Sequence, residues 1–133
     1  MYAGTTIEIC ALEKFFHLAG APPPPLVLVG IDIPDMPDES AFALRPAPAD
    51  LPAGWADMPV SETAQQFGRH WITLARQLML QVPSVIIPEA TNVVINPAHS
   101  AYRQIRLEIV REFHFDARMF AAGASPATLK PRY

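Results

Sequence analysis

Residues 80–97 read Leu-Gln-Val-Pro-Ser-Val-Ile-Ile-Pro-Glu-Ala-Thr-Asn-Val-Val-Ile-Asn-Pro. Apolar residues in this stretch form three short runs, at 80–82, 84–87 and 92–95, and prolines separate them. Short runs between prolines are typical of short β-strands, because proline supplies no amide hydrogen and is excluded from the interior of a sheet. The stretch therefore predicts three short strands that follow one another closely along the chain.

The segment before these strands, residues 61–80, has the clearest helical periodicity in the chain. Its apolar residues recur at intervals of three and four, and polar residues occupy the opposite face. Thr63 and Gln66 have the spacing of a capping box, in which two side chains satisfy free amides at a helix start. We therefore predict an amphipathic helix over 61–80 that packs on the strands.

A second helix is predicted over residues 5–18. Thr5 and Glu8 again have the spacing of a capping box, and Gly20 followed by four prolines ends the pattern. Apolar residues lie around most of the circumference of this helix, which predicts that it is buried rather than on the surface. A polar side chain on such a helix needs a partner or a function.

The other predicted elements are a largely buried strand over 26–33, a proline-rich connection over 34–59 with a short extended piece near 42–44, a helical turn near 99–104, a final strand near 106–115 and a tail over 121–133. The connection is either a loop that wraps the domain or a lid or partner surface. The order of helix, strand, helix and then several short strands predicts an α+β domain with a compact mixed sheet.

Composition excludes several classes of protein. The 133 residues are 50% hydrophobic and 17% charged, which is enough apolar material for one domain with its own core. A net charge of −3 provides no basic surface for direct nucleic-acid binding. One cysteine cannot form an intrachain disulfide, and no apolar run approaches the roughly 20 residues that span a bilayer. We expect a cytoplasmic protein without membrane contact, and the four widely separated histidines predict no metal site.

Three polar residues stand out by their apolar surroundings. Glu13 lies on the predicted buried helix, where it is either a functional carboxylate, a member of a salt bridge or a solvent-facing residue. Ser84, between two prolines, is either a structural hydrogen-bond donor or a ligand contact. Asn92 either holds a turn through local hydrogen bonds or binds a ligand. Cys10, among isoleucines and a leucine, is predicted to be a small core residue rather than a nucleophile.

Four segments of the chain, taken together, resemble the RES domain. They are Met-Tyr-Ala-Gly-Thr-Thr-Ile-Glu-Ile-Cys-Ala-Leu-Glu-Lys-Phe-Phe-His-Leu (1–18), Asp-Leu-Pro-Ala-Gly-Trp (50–55), Val-Pro-Ser-Val-Ile-Ile-Pro-Glu-Ala-Thr-Asn-Val-Val-Ile-Asn-Pro-Ala-His (82–99) and Phe-His-Phe-Asp-Ala-Arg-Met-Phe (113–120). Each segment alone is weak, but all four occur in the order and spacing of the family. The resemblance covers residues 1–120, that is, nearly the whole chain.

The resemblance implies both an activity and a fold. Members of the RES family are mostly toxins of bacterial type II toxin-antitoxin pairs, and they degrade NAD by phosphorolysis or hydrolysis on a fold similar to that of ADP-ribosyltransferases. In this sequence Glu13 matches the family glutamate, Ser84 the family serine and Tyr2 a tyrosine of the family site. Asn92 matches a recurrent asparagine and is expected, with Tyr2 and Ser84, to bind NAD. NAD is then a substrate rather than a cofactor, with phosphate as a co-substrate if the reaction is phosphorolysis.

The expected roles follow from the reaction that the resemblance implies. Breaking the bond between nicotinamide and ribose builds positive charge on the sugar, and a carboxylate such as Glu13 can stabilise that charge or orient the attacking water or phosphate. Ser84 is expected to hydrogen-bond the substrate. Tyr2 is expected to stack on the nicotinamide or the ribose and to keep water out.

The chain departs from the family pattern at its start. The family arginine lies upstream of the tyrosine, whereas here Tyr2 follows the first residue, so we expect an N-terminally incomplete RES domain over 1–120. Two functions remain open: an NAD-degrading toxin neutralised by a helix-turn-helix antitoxin of the Xre type, and a catalytically inactive remnant that binds the antitoxin. The sequence also leaves open whether the chain is a monomer or a homodimer.

Overall fold

A computed structural model describes residues 1–120 and has an α+β architecture, as predicted. In chain order the strands and helices are β1 (Tyr2–Gly4), α1 (Ile7–His17), β2 (Leu26–Asp32), α2 (Glu39–Phe42), β3 (Ala43–Leu44), α3 (Glu62–Leu74), β4 (Met79–Pro83), β5 (Thr91–Ile95) and β6 (Arg106–Phe113). Short 3₁₀ turns cover Pro48–Asp50, Ser100–Gln104 and Ala117–Phe120. The predicted tail over 121–133 lies outside the described residues.

The main sheet has four strands in the order β1-β5-β4-β3. β5 lies antiparallel to both β1 and β4, with Gly4 opposite Asn92, and β3 lies parallel to β4. Two of the three predicted short strands are therefore confirmed, and the third, at 84–87, is wrong. Residues 84–90 form the loop between β4 and β5, because the Ser84 hydroxyl accepts hydrogen bonds from the amides of Ile86 and Ile87 and so diverts them from any neighbouring strand.

The hydrophobic core lies on the middle of the main sheet, and the partly buried side chains of Ile31, Phe42 and Tyr102 pack against it. The buried apolar residues include Trp71 of α3, Leu78 just before β4 and the strand residues Met79, Val93 and Ile95. Because most of these residues come from β4 and β5, the stretch that predicted the fold also supplies its centre. These two strands then continue directly into the loop that carries Ser84.

The predicted helix over 61–80 is confirmed in its first part and ends earlier than predicted. Ser61, not Thr63, is the N-cap, and its hydroxyl accepts a hydrogen bond from the amide of Ala64 at 3.2 Å. Ala75 adopts a left-handed conformation with φ of 48°, which ends the helix. Residues 79 and 80 instead belong to β4. Apolar residues at these two positions are compatible with a buried helix and with a buried strand, so the pattern did not distinguish them.

The helix predicted over 5–18 is confirmed, but its predicted burial is wrong. α1 is capped by Thr6, whose hydroxyl accepts from the amide of Ile9, while the Thr5 hydroxyl donates to the carbonyl of Thr91. Ile9 is the one buried residue of this helix, and Phe16 is 59% exposed. Ile7, Ala11 and Phe16 of α1 line cavities, and hydropathy cannot distinguish an apolar side chain at a cavity wall from one in a packed core.

β2 and β6 form a separate antiparallel ribbon with a bulge between Leu28 and Val29. The strand predicted over 26–33 is confirmed, but its predicted burial is wrong, because a two-stranded ribbon leaves alternate side chains of β2 exposed. The final strand and the helical turn near 99–104 are confirmed. Phe15 of α1 stacks on Phe115 and Phe120, which joins α1 to the chain after the ribbon.

Candidate active site

Glu13, Ser84 and Asn92 meet in the structure, although 71 and 79 residues separate Glu13 from its two partners. The Ser84 hydroxyl donates to Oε1 of Glu13 at 2.8 Å, and the side-chain amide of Asn92 donates to the same oxygen at 2.6 Å. Oε2 of Glu13 takes neither bond. The carboxylate is therefore oriented by two neutral donors through one of its two oxygens.

Gly4 allows α1 to approach β1 closely enough for this contact. A Cβ at this position would collide with the Ile9 side chain and would lie 2.9 Å from the Cys10 sulfur. The amide of Gly4 donates to that sulfur at 3.2 Å, so Cys10 accepts a hydrogen bond and is only half-buried. One turn further along α1, Glu13 reaches the loop between β4 and β5.

Ser84 is held on both sides of its hydroxyl. The residue is fully buried, and its oxygen accepts from the amides of Ile86 at 3.1 Å and Ile87 at 3.3 Å while its hydrogen goes to Glu13. The two accepted bonds leave the Oγ hydrogen free to point only at the carboxylate, and they polarise the hydroxyl in that direction. Of the two interpretations that the sequence left open, this donation to Glu13 fits the structural donor, and a contact between Ser84 and a ligand stays a prediction.

Asn92 lies in β5 with one half of its amide unpaired. Its nitrogen donates to Glu13, while its Oδ1 is buried and has no hydrogen-bond partner among residues 1–120. A buried acceptor without a partner is unusual, because it loses its hydration without compensation. Asn92 therefore does not hold a local turn. Its side chain points at Glu13 instead.

Tyr2 lies beside the same carboxylate. The pKa of its hydroxyl is raised to about 12, first by burial of the hydroxyl, then by the negative charge of Glu13 and by hydrogen bonding to it. The residue as a whole is 53% exposed, so the ring remains accessible. Tyr2 is thus a neutral hydroxyl at neutral pH next to an oriented carboxylate.

Two cavities adjoin the cluster and share part of their lining. One has a volume of about 220 Å³ and the other about 630 Å³, and both are lined by Tyr2, Glu13, His17 and Asn92. The larger volume is in the range of small-molecule sites. Ser84 lines neither cavity. The carboxylate of Glu13 thus stands at the wall of a space that can admit a ligand.

Sequence reasoning did not identify several residues of the larger cavity. This cavity is also lined by Phe16 of α1, by Trp55 and Met58 of the long connection, and by Val60 just after it. Part of the connection over 34–59 therefore forms a wall of the site. Trp55 belongs to the segment Asp-Leu-Pro-Ala-Gly-Trp, whose resemblance to the family was the one indication in the sequence that this loop lies near the site.

Glu13 forms no ion pair with another described residue, although Lys14 and His17 line the smaller cavity with it. The two ion pairs in the described part of the chain join Arg118 to Asp116 and His114 to Glu112. Residues 1–120 also contain no group of three or more His, Cys, Asp or Glu side chains that could hold a metal ion. The Glu13 carboxylate is therefore available to a positive charge on a ligand.

None of the helices within residues 1–120 is long and apolar enough to cross a membrane.

Comparisons with known proteins show which family the chain resembles. A family model described as the RES domain matches residues 1–117. A protein of Sphingobium sp. (strain YBL2) named Prs ADP-ribosylating toxin is 38% identical over 120 residues, covering 90% of this chain and 73% of the relative. A protein of Pseudomonas putida named Toxin Res is 31% identical over 124 residues, covering 90% of this chain and 79% of the relative. A protein of Yersinia enterocolitica, also named Toxin Res, is 26% identical and covers 90% and 76%.

Proposed function

The chain belongs to the RES domain family, and we propose that it is a toxin that consumes NAD by breaking the bond between nicotinamide and ribose at Glu13. The observation that carries this proposal is the arrangement of the Glu13 carboxylate. It is oriented by two neutral donors at the wall of two cavities, and it forms no ion pair with a described residue. The α+β fold of the family is similar to that of ADP-ribosyltransferases, whose chemistry uses the same substrate.

The charge on Glu13 suits the electron movement of this reaction. When the bond breaks, its electron pair goes to the ring nitrogen, so nicotinamide becomes neutral and positive charge develops on the ribose. A fixed carboxylate beside the sugar stabilises that developing charge more than it stabilises the substrate. Oε2 of Glu13 accepts no hydrogen bond from Ser84 or Asn92, and it is the oxygen that interacts with the positive charge on the ribose.

The neighbouring side chains position the carboxylate and the substrate. Ser84 acts through Glu13, because its buried hydroxyl is already fully engaged. Asn92 fixes the same oxygen through its side-chain amide. Tyr2 stays protonated because its pKa is raised, so it adds a hydrogen-bond donor and an aromatic ring rather than a second negative charge.

Three acceptors are compatible with this site: water, inorganic phosphate and a protein side chain. The first two degrade NAD, and both remain open as they were from the sequence. The third enters because the Sphingobium relative is named an ADP-ribosylating toxin. In each case the acceptor oxygen or nitrogen attacks the ribose carbon and loses its proton, and ADP-ribose is transferred.

Product analysis tests the proposal and distinguishes the acceptors. The purified chain is incubated with NAD in buffer, in buffer with phosphate, and in a lysate with labelled NAD. Free ADP-ribose identifies water as the acceptor, phosphorylated ADP-ribose identifies phosphate, and labelled protein identifies protein transfer. If a folded chain releases no nicotinamide in any of the three, the proposal is wrong and the inactive, antitoxin-binding remnant becomes the better account.

The partner is proposed to be a helix-turn-helix antitoxin of the Xre type that covers the cavities. An acidic toxin leaves DNA contact to such a partner. The relatives named toxins are consistent with a neutralising protein of some kind. Co-expression with the antitoxin encoded beside this chain should give a complex that no longer consumes NAD. A stable complex with undiminished turnover contradicts a partner that covers the site.

A further inference from the structure

Trp55 is an aromatic residue at the cavity wall whose function no observation so far explains. It lines the cavity of about 630 Å³ together with Glu13, and it is only partly buried. The stacked aromatic pairs within residues 1–120 are all between phenylalanines, so the indole is not engaged with another described ring. The rest of the lining is mainly apolar and includes Met58 and Val60, which are both exposed. An accessible apolar wall of this kind marks a binding surface.

The backbone at Trp55 is held in place by α3. The Ser61 hydroxyl donates to the carbonyl of Gly54 at 2.8 Å, and the Thr63 hydroxyl donates to the carbonyl of Ala53 at 2.7 Å. Gly54 itself has φ of 74°, a conformation that favours glycine, and it turns the chain immediately before Trp55. The loop is thus anchored to the N-terminus of a core helix, so Trp55 is positioned before a ligand arrives.

We propose that Trp55 binds the nicotinamide ring of NAD, with the face of its indole against the positively charged pyridinium. The inference rests on the proposed function, because it deepens the account of the same site. The ring nitrogen is bonded directly to the ribose carbon beside Glu13, so the ring must lie in the space next to that carboxylate. Trp55 is the tryptophan in that space, and tryptophan is the side chain that attracts a cation over its face most strongly.

The proposal makes Trp55 a specificity residue rather than a source of rate. The ring is positive in the bound substrate and neutral after the bond breaks, so this contact favours the substrate over the transition state. It also favours oxidised NAD over NADH, whose dihydronicotinamide ring carries no charge. Because the contact is weaker in the transition state, its loss should raise KM and leave kcat equal to or above that of the parent, so that kcat/KM falls by less than KM rises.

Fluorescence gives a test that needs no turnover. The chain has two tryptophans, and Trp71 is buried in the core, so Trp55 reports on the cavity. A Glu13→Gln chain, which should not consume the substrate, is titrated with NAD, the 1-methylnicotinamide cation, neutral nicotinamide and adenosine monophosphate. NADH binding is measured by calorimetry, because its ring accepts excitation energy from either tryptophan. We expect saturable quenching by NAD and by the cation, weaker quenching by neutral nicotinamide, and none of it in a Trp55→Phe chain that keeps only Trp71.

Affinity and kinetics complete the test. We expect Trp55→Ala to bind NAD about tenfold more weakly, which corresponds to about 1.4 kcal/mol, and Trp55→Phe to keep part of the affinity. In chains that retain Glu13, Trp55→Ala should raise KM by up to a similar factor, with kcat equal to or above that of the parent. Ile109→Ala, which removes an exposed apolar side chain from β6 outside the cavity, should change neither value.

Defined outcomes overturn the inference. Quenching by adenosine monophosphate but not by 1-methylnicotinamide would assign Trp55 to the adenine, and equal binding of NAD and NADH would exclude the charge contact. A fall in kcat as large as the rise in KM would also contradict it. A chain that binds the pyridinium at Trp55 but never releases nicotinamide would refute the proposed function and leave this binding site standing.

Discussion

Replacing Ser84 by alanine is the perturbation whose cost can be worked out most directly from the structure. The change removes a buried hydrogen bond to the Glu13 carboxylate and leaves the amides of Ile86 and Ile87 without an acceptor. A hydrogen bond to a charged group is worth about 1.5–3 kcal/mol, and an unsatisfied buried amide costs about 1–3 kcal/mol. Since Ile87 is exposed, water can replace its bond, and the half-buried amide of Ile86 adds the low-end cost of about 1 kcal/mol; we therefore expect a total loss of about 3 kcal/mol.

The assay is urea unfolding of matched variants, with the free energy of unfolding as the measured quantity. A loss of about 3 kcal/mol is a large share of the roughly 5–15 kcal/mol that stabilises a domain. Ser40→Ala is the control, because the Ser40 hydroxyl also donates to a carboxylate, that of Asp38, but on the exposed surface. We expect this control to lose less than about 0.5 kcal/mol, since water replaces an exposed bond.

A double-mutant cycle of Ser84→Ala with Glu13→Gln isolates the contact itself. If the hydroxyl acts on the carboxylate, the two changes should couple by about 1–2 kcal/mol. A Ser84→Ala loss no greater than that of Ser40→Ala, or a coupling near zero, would refute the reasoning that Ser84 holds Glu13 in place.

Three further predictions follow from contacts around the cluster. Gly4→Ala should destabilise the chain by about 1–3 kcal/mol in urea unfolding and reduce NAD turnover, because the added methyl group pushes α1 away from β1; a stable, fully active variant would contradict this. Tyr2 should ionise with a midpoint at about pH 12, measured as the tyrosinate absorbance of the parent chain minus that of Tyr2→Phe. Glu13→Gln should lower this midpoint, while burial keeps it above 10. The pKa of Tyr2 is higher in the folded chain than its ordinary value of 10.0, so its contribution to stability is complete below pH 10 and is lost as the pH rises towards 12. Between pH 10 and 12 the free energy of unfolding should therefore fall less steeply in Tyr2→Phe than in the parent chain. Asn96→Ala should cost about 2 kcal/mol of unfolding free energy, because the fully buried amide donates to α3 at the carbonyl of Ile72 and accepts from the amide of Ala98; a loss below about 0.5 kcal/mol would show that these bonds are replaced by water.

The elements of the fold could largely be predicted from local patterns, whereas their ends and burial could not. Capping motifs at Thr5 and Thr63 were each misplaced, because adjacent hydroxyls compete for the same free amides and the outcome depends on the preceding chain. Thr5 donates instead to a carbonyl of β5, and Ser61 takes the cap of α3. Hydropathy also overestimated the burial of α1 and β2. The hydropathy of an apolar side chain is the same whether the side chain lies in a core, at a cavity wall or in solvent.

The site was only partly accessible from the sequence for a different reason. The apolar surroundings of Glu13, Ser84 and Asn92 made each residue noteworthy, but spacing along the chain cannot show that residues 71 and 79 positions apart share one oxygen. Family resemblance supplied that grouping. It did not show that Ser84 is buried outside both cavities whereas Asn92 lines them, or that Trp55 lies at the wall of the larger one. Those distinctions depend on tertiary packing.

The most direct test of the account is the rate of nicotinamide release from NAD by Glu13→Gln relative to the parent chain. The variant keeps the shape of the side chain and removes the charge on which the proposed reaction depends. Glu8→Gln is the matched control, because Glu8 is an exposed carboxylate of the same helix and lies outside both cavities. The account predicts release that falls at least about a hundredfold in Glu13→Gln, with both variants folded and Glu8→Gln close to the parent. Release by Glu13→Gln that equals release by Glu8→Gln would contradict it.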